Sequence, residues 1–340
     1  MINFCSFGEM VRTDAKQRIV WIEWARSICM FLVVLGHCRI CESEFFLVQF
    51  IYSFHMLFFF FLSGMLCKRR LGLLSLNRDL KYILLPYLTY SFILILSLII
   101  RSKFSDLTSV LSEIEMLIVG LDPRIGPLWF LPALFICKQF FGIIQIAKRY
   151  NIYFYYVLVP FTLLPAYFFS EYQLNLPFFA DSALCGLPFF ILGSESFSIL
   201  NKTTNSRKLF LVPIFLLLFS VYLSYLNGFV VLSDCRFGNS VVLYYINAYI
   251  TIISIIYICK YLNSLKFPFI TITSYGSIVI LGIHDHILLF FNHYLPIIIG
   301  IEPFAYPVII ALIYSSVTFI LCYLMIRYIC SRYPLLFGLK

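Results

Sequence analysis

Apolar residues run along this chain in long, nearly unbroken stretches separated by short charged or Pro-, Gly- and Asn-rich breaks. The stretches fall at 19–40, 45–66, 81–100, 128–147, 152–170, 178–199, 208–227, 239–260, 270–293 and 304–328. A few reach about twenty residues, the length a helix needs to cross a hydrocarbon core of about 30 Å. A closed β-barrel would show short alternating segments instead. Continuous runs imply helices, because a helix satisfies its own backbone groups within lipid. The pattern therefore predicts an all-α integral membrane protein, a polytopic bundle of about ten transmembrane helices. The one long connection, 101–127, has room for a short interfacial helix around 111–120.

Composition agrees: 62% of the 340 residues are hydrophobic and 12% charged, against about 25% charged in soluble domains. Residues 1–18 are polar and charged and lack the basic-plus-apolar pattern of a cleaved signal, so the first span is expected to remain in the mature protein. We expect a cytoplasmic segment over 1–18, a transmembrane domain over 19–330 and a short cytoplasmic tail over 331–340, with no internal repeat. Eleven cysteines lie mostly inside apolar runs, where a thiol behaves as a small hydrophobe, so no disulfide framework follows. Cys38 and Cys41 have C-x-x-C spacing but lack the βαβ context of a redox motif.

Charge orients the bundle, because Lys and Arg in short loops favour the cytoplasmic side. With both termini cytoplasmic, the inner loops hold 18 of the 25 basic residues and the outer ends 5, leaving Arg26 and Lys138 inside spans. The net charge of +9 is thus mainly a topology signal. Nucleic acid is not expected as a partner, since no soluble face is large enough to present a basic patch. A multi-pass protein of the cell membrane, with membrane lipid around it, is the expected setting.

Ionisable side chains inside spans are costly and mark functional sites by default. Glu23, Lys138, Asp181 and Glu195 lie near helix ends and can snorkel. Arg26, His37 and His55 are harder to dismiss. Arg26 and His37 are eleven residues apart, three turns plus about 20° of rotation and about 16 Å of rise, so they share a face without touching. Folding the second span back places His55 between them in depth. His284, Asp285 and His286 invite a metal reading, but histidines at i and i+2 diverge by about 200° on a helix, so no metal is expected. His284 stands alone as a third buried imidazole.

Five strings, in order, resemble the membrane-bound acyltransferase-3 family, and within it the fucose-4-O-acetylase-like branch. RIVWIEWARSICMFLVVLGH is similar to the family's opening helix, with Arg26, Gly36 and His37 at its basic and Gly-His positions. IYSFHMLFFFFLSGML matches a second motif at Phe54, His55, Met56, Ser63 and Gly64, without the family's Pro after Met, so a local kink is not expected. KYILLPYL, GPLWFLPALF and SYGSIVILGIH supply the others, through Pro86, Trp129 and His284.

The resemblance implies an acyltransferase that moves an acyl group, acetyl in most members, from acyl-CoA to a sugar hydroxyl in a surface glycan or its lipid-linked precursor. Acyl-CoA is then a co-substrate and no cofactor is bound. Transfer to a hydroxyl needs a base and a group that stabilises the oxyanion. His37 is the expected base, His55 its partner, and Arg26 a support for the donor's polar arm. Arg69, Arg70, Arg78 and Lys81, the densest inner cluster, are candidates for the donor's phosphates, although plain positive-inside anchoring explains the same residues. Trp129 and His284 are candidates for the acceptor side. A polyprenyl-linked glycan flippase, or a glycan polymerase, is the alternative; either leaves the ordered histidine motifs unexplained.

Overall fold

The computed structural model describes residues 18–67, 73–101, 123–203, 210–298 and 305–339, together with Leu111, Glu115 and Gly300. The interfacial helix expected around 111–120 lies outside this set apart from Leu111 and Glu115. Among the described residues the regular structure is helical, with two isolated β-bridges, Ile40 with Tyr306 and Val231 with Arg236. The protein is an all-α polytopic membrane protein, and a helix stands at each expected span.

In chain order the helices are α1 (Val20–Gly36), α2 (Phe46–Tyr52), α3 (His55–Leu66), α4 (Leu73–Asp79), α5 (Leu85–Arg101), α6 (Phe130–Tyr150), α7 (Ile152–Phe161) and α8 (Leu164–Tyr172). They continue as α9 (Ala180–Lys202), α10 (Leu211–Asn227), α11 (Val241–Tyr261), α12 (Pro268–Tyr275), α13 (Ser277–Leu289), α14 (Leu295–Ile298) and α15 (Val308–Tyr328). A π-turn at Leu80–Leu84 joins α4 to α5, and another at Phe290–Tyr294 joins α13 to α14. Among the described residues, eight helical stretches are long and apolar enough to cross a membrane; α10 is apolar but, like α1, only 17 residues long.

Local chemistry sets several boundaries. The Asn151 side chain accepts from the Tyr153 and Phe154 amides at 2.8 and 3.2 Å and starts α7, as an N-cap should. Ser240 does the same for α11 through the Leu243 amide. Pro268 opens α12, where its missing N–H has no helical partner to lose.

Two expectations need correction. The second span is not a straight helix, although the family's proline is absent. It breaks at Ser53 and Phe54, whose φ of −146° leaves the helical region. Ser53 Oγ donates to Phe50 O at 2.7 Å and accepts from Asn247 Nδ2 of α11 at 3.0 Å. A side chain that takes a helical carbonyl for itself interrupts the ladder as a proline would. The ninth span, expected as one run over 270–293, is divided at Gly276, and its crossing stretch is Ser277–Ile298. A Cβ at Gly276 would stand 2.4 Å from Ile326, so the bare glycine is what lets α15 pack there.

The core gathers around α1, α3, α9, α11 and α13, with α3 and α9 in the most extensive contact. Helices α7, α8 and α10 lie at the rim, exposing Tyr153, Phe161, Phe168, Phe215 and Tyr222, as lipid-facing surfaces require.

Contacts among connections and helix ends join those that a strict up-and-down path puts on one side. At one end, Tyr306 N donates to Arg39 O at 2.9 Å and Ser182 Oγ to Leu232 O at 3.1 Å. At the other, Trp24 Nε1 donates to Leu265 O at 2.9 Å and Lys148 pairs with Glu195 at 2.7 Å. Alternation leaves one binary choice of orientation, for which the basic residues give the expectation of cytoplasmic termini. Reporter fusions after Arg70, Arg149 and Lys208 are expected to read cytoplasmic and one at Asp106 external. A cytoplasmic Asp106 would reverse the assignment.

Candidate active site

Three histidines converge near the end of the bundle that holds the Arg39–Tyr306 contact. His37 closes α1 as its C-cap, His55 is the first residue of α3, and His284 lies within α13. Each imidazole turns back on its own chain: Nδ1 of His37, His55 and His284 lies 2.8, 2.8 and 2.7 Å from the carbonyl oxygens of Val33, Ile51 and Ile280. A carbonyl only accepts, so every Nδ1 carries the hydrogen and donates. In the neutral ring each Nε2 is then left as an unprotonated lone pair. One local device, repeated three times, fixes both ring orientation and tautomer.

The rings meet. His37 and His284 are edge to face with centroids 5.0 Å apart, and Tyr52 lies 6.1 Å from His37 and 5.0 Å from His55. The break at Ser53 and Phe54 separates Tyr52, the last residue of α2, from His55, the first of α3. His55 and His284 are buried, at 3% and 0% exposure, whereas His37 is half-buried. Of the three, His37 is therefore the imidazole that a second molecule can reach. Nε2 of His284 is buried with no hydrogen-bond partner among the described residues, an arrangement that costs about 1–3 kcal/mol when nothing else is bound.

Asp285, beside His284, is exposed although it belongs to a crossing stretch. A carboxylate at that depth faces water or protein and not hydrocarbon. Its Oδ2 would lie 3.1 Å from a Cβ at Gly126, where φ of 59° and ψ of −142° form a backbone that glycine alone adopts readily. Spacing discounts Asp285 together with a metal site and gives no weight to Tyr52. The signal for Tyr52 was its place one turn before His55.

Arg26 belongs to a different space. It donates to Ser274 O at 3.4 Å and lines a cavity of about 290 Å³ with Met30, Met56, Arg78, Asp79, Phe130, Lys138 and Leu281. The cavity wall includes neither His37 nor His55, so it is not one passage through all three polar groups. Its wall nevertheless includes Met56, next to His55, and Leu281, three residues before His284. Of the basic cluster, Arg78 lines this cavity, Lys81 is exposed and off its wall, and Arg69 and Arg70 lie outside the described residues. Lys138, expected to snorkel, instead pairs with the buried Asp79 on the cavity wall. Sequence spacing could not join residues 59 positions apart.

The remaining candidates pack. Trp129 is 8% exposed, with its ring 5.9 Å from Phe179 and 6.1 Å from Phe130, so it presents no open face to a sugar. Glu23 accepts from Thr271 Oγ1 at 2.8 Å, and Asp181 from the Ser182 amide at 2.7 Å. Among the described residues no group of three or more His, Cys, Asp or Glu is placed to hold a metal ion.

A half-buried imidazole beside two buried ones, with a cavity bearing Arg26, Arg78 and Lys138 nearby, is an arrangement that can support proton transfer. No curated protein and no solved structure matches the chain. The family model of the acyltransferase domain does, across residues 19–327, and the chain belongs to the acyltransferase-3 family of membrane acyltransferases.

Proposed function

We propose that this membrane acyltransferase takes an acyl group, acetyl in the simplest case, from acyl-CoA at the cytoplasmic face of the cell membrane. The acceptor is a sugar hydroxyl of a surface glycan or its lipid-linked precursor. The observation that carries this reading is the nearness of a cavity bearing Arg26, Arg78 and Lys138 to the histidines: its wall includes Met56, next to His55, and Leu281, three residues before His284, while His37, off that wall, is half-buried.

The division matches the two substrates. Coenzyme A carries phosphates and cannot cross lipid, so its head stays at the inner rim, near Arg78 and the cluster of Arg69, Arg70 and Lys81. Its pantetheine arm runs inward past Arg26 and the Lys138–Asp79 pair, bringing the thioester up to the histidines. Eleven residues of helix separate Arg26 from His37, about 16 Å, a gap for an extended arm to fill.

At the histidines, His37 Nε2 takes the proton of the acceptor hydroxyl as its oxygen attacks the thioester carbonyl. The new carbon–oxygen bond forms as negative charge moves to the carbonyl oxygen, and collapse of that intermediate breaks the carbon–sulfur bond. The proton held by His37 is available to the departing thiolate. His55 and His284 flank the base and hold it in place. Asp285 offers an acceptor for the sugar's remaining hydroxyls. A structural role for the three histidines would explain the back-bonds but not the His284 Nε2 that has no partner among the described residues.

NMR of surface polysaccharide with and without the gene tests the reading: an O-acyl signal should disappear with the gene, and an unchanged spectrum in a strain that expresses it counts against it. For the donor route, Arg78→Ala combined with Lys138→Met is expected to raise the apparent KM for acetyl-CoA about tenfold while leaving that for the acceptor unchanged. Loss of membrane abundance with no change in KM would favour simple anchoring.

A further inference from the structure

Cys185 of α9 and Cys235 of the connection between α10 and α11 meet sulfur to sulfur at 3.8 Å, fifty residues apart in sequence. Both are buried, at 0% and 1% exposure. Cys235 holds a left-handed backbone, with φ of 50° and ψ of 32°, uncommon for a residue with a side chain and a sign that the surrounding loop dictates its position. That loop is closely tied. Val231 and Arg236 exchange backbone hydrogen bonds at 2.8 and 3.0 Å, and Asn227 Nδ2 donates to Phe237 O at 2.8 Å. Ser182, one turn before Cys185, donates to Leu232 O at 3.1 Å and fastens the loop to α9. The two thiols are thus presented to each other by independently fixed backbones.

We propose that Cys185 and Cys235 form a disulfide on the external side of the membrane, a redox-sensitive staple that locks this connection onto α9. The inference rests on the orientation argued from the basic residues and not on the acyl-transfer reading. In that orientation the loop faces the exported compartment, where disulfides form and persist. Bonding requires the sulfurs to close from 3.8 Å to about 2.05 Å. The oxidant is the disulfide of an exported thiol–disulfide oxidoreductase. One cysteine thiolate attacks it to give a mixed disulfide, and the second cysteine displaces the carrier. One S–S bond forms as one breaks, two electrons pass to the carrier, and the two thiol protons end on its reduced dithiol.

The staple bears on the active site. Phe229 in the same connection packs 5.1 Å from Tyr52 and 5.1 Å from Phe45, and Tyr52 lies between His37 and His55. Holding the connection to α9 holds an aromatic cover beside the histidines.

The test counts thiols in the full-length protein in its native membranes. Membranes from aerobic cells are quenched in acid, denatured, and labelled with polyethylene glycol maleimide with or without prior reduction. Wild type should take two fewer labels without reduction, and Cys185→Ser should take the same number either way. Tryptic mapping of unreduced wild type should give a linked pair of peptides containing Cys185 and Cys235, a readout that does not depend on the variant accumulating. Equal labelling of wild type with and without reductant overturns the proposal. So does a two-label difference that survives in Cys185→Ser. A reduced pair with an external Asp106 fusion overturns the pairing itself; a reduced pair with a cytoplasmic Asp106 overturns the compartment on which it rests.

Discussion

His37→Gln is expected to insert and accumulate like wild type yet lose acyl transfer by at least about a hundredfold. Loss of a positioned general base costs about 10²–10⁴ in rate, and glutamine keeps hydrogen-bonding capacity while removing the nitrogen that would take the proton. The side chain should remain in place because the interaction with Val33 O needs only a donor, which the amide supplies. His37→Ala should fall as far and, with a void beside His284 and Tyr52, should also melt lower. Transfer of labelled acetyl from acetyl-CoA into the glycan fraction would be followed beside membrane abundance and melting temperature in detergent. Near-normal turnover in well-folded His37→Gln would exclude His37 as the base and move the role to His55, the other imidazole beside Tyr52.

The contrast between His37 and Arg26 marks where the sequence stops being informative. Helical periodicity puts both on one face of the first helix, and Arg26 does lie in α1 with His37 as its C-cap. It could not say that neighbours of Arg26 from α3, α6 and α13 would enclose a cavity whose wall leaves out His37. That depends on tertiary packing, which periodicity within one helix does not encode. The ten apolar runs were legible because each must be long and continuous to cross lipid. The break at Ser53 was not, because it depends on a hydrogen bond from Asn247, 194 residues away. His284 was visible as a buried imidazole, but its contact with His37 was not. The third back-bond, to Ile280, needed only the i→i−4 geometry of a helix and was readable in principle. Trp129 went the other way: its position at an expected outer end suggested an open aromatic face, whereas Phe179, brought in by a left-handed turn before α9, covers it.

Gly64→Ala and Gly193→Ala are each expected to lower stability by about 1–3 kcal/mol or more, in the upper range for overpacking. A Cβ at Gly64 would stand 1.9 Å from Phe190 O, and one at Gly193 would stand 1.9 Å from Phe61 O. The contact is reciprocal and backbone to backbone, so no side chain can swing aside. The helices themselves must separate. Gly186, seven residues before Gly193, faces the Phe60 ring in the same seam, and small residues at such spacing are how membrane helices approach closely. Because α3 begins at His55, forcing α3 from α9 also moves an imidazole of the site. Activity should therefore fall with stability in both variants, unlike His37→Gln, where the two separate. Leu218→Ala, at a residue 66% exposed on the rim helix α10, serves as the control and should melt close to wild type. Since both glycine substitutions push the same two helices apart, the double variant should cost less than the sum of the singles. Strict additivity, or a wild-type melting temperature for either single variant, would mean that α3 and α9 do not meet at these glycines.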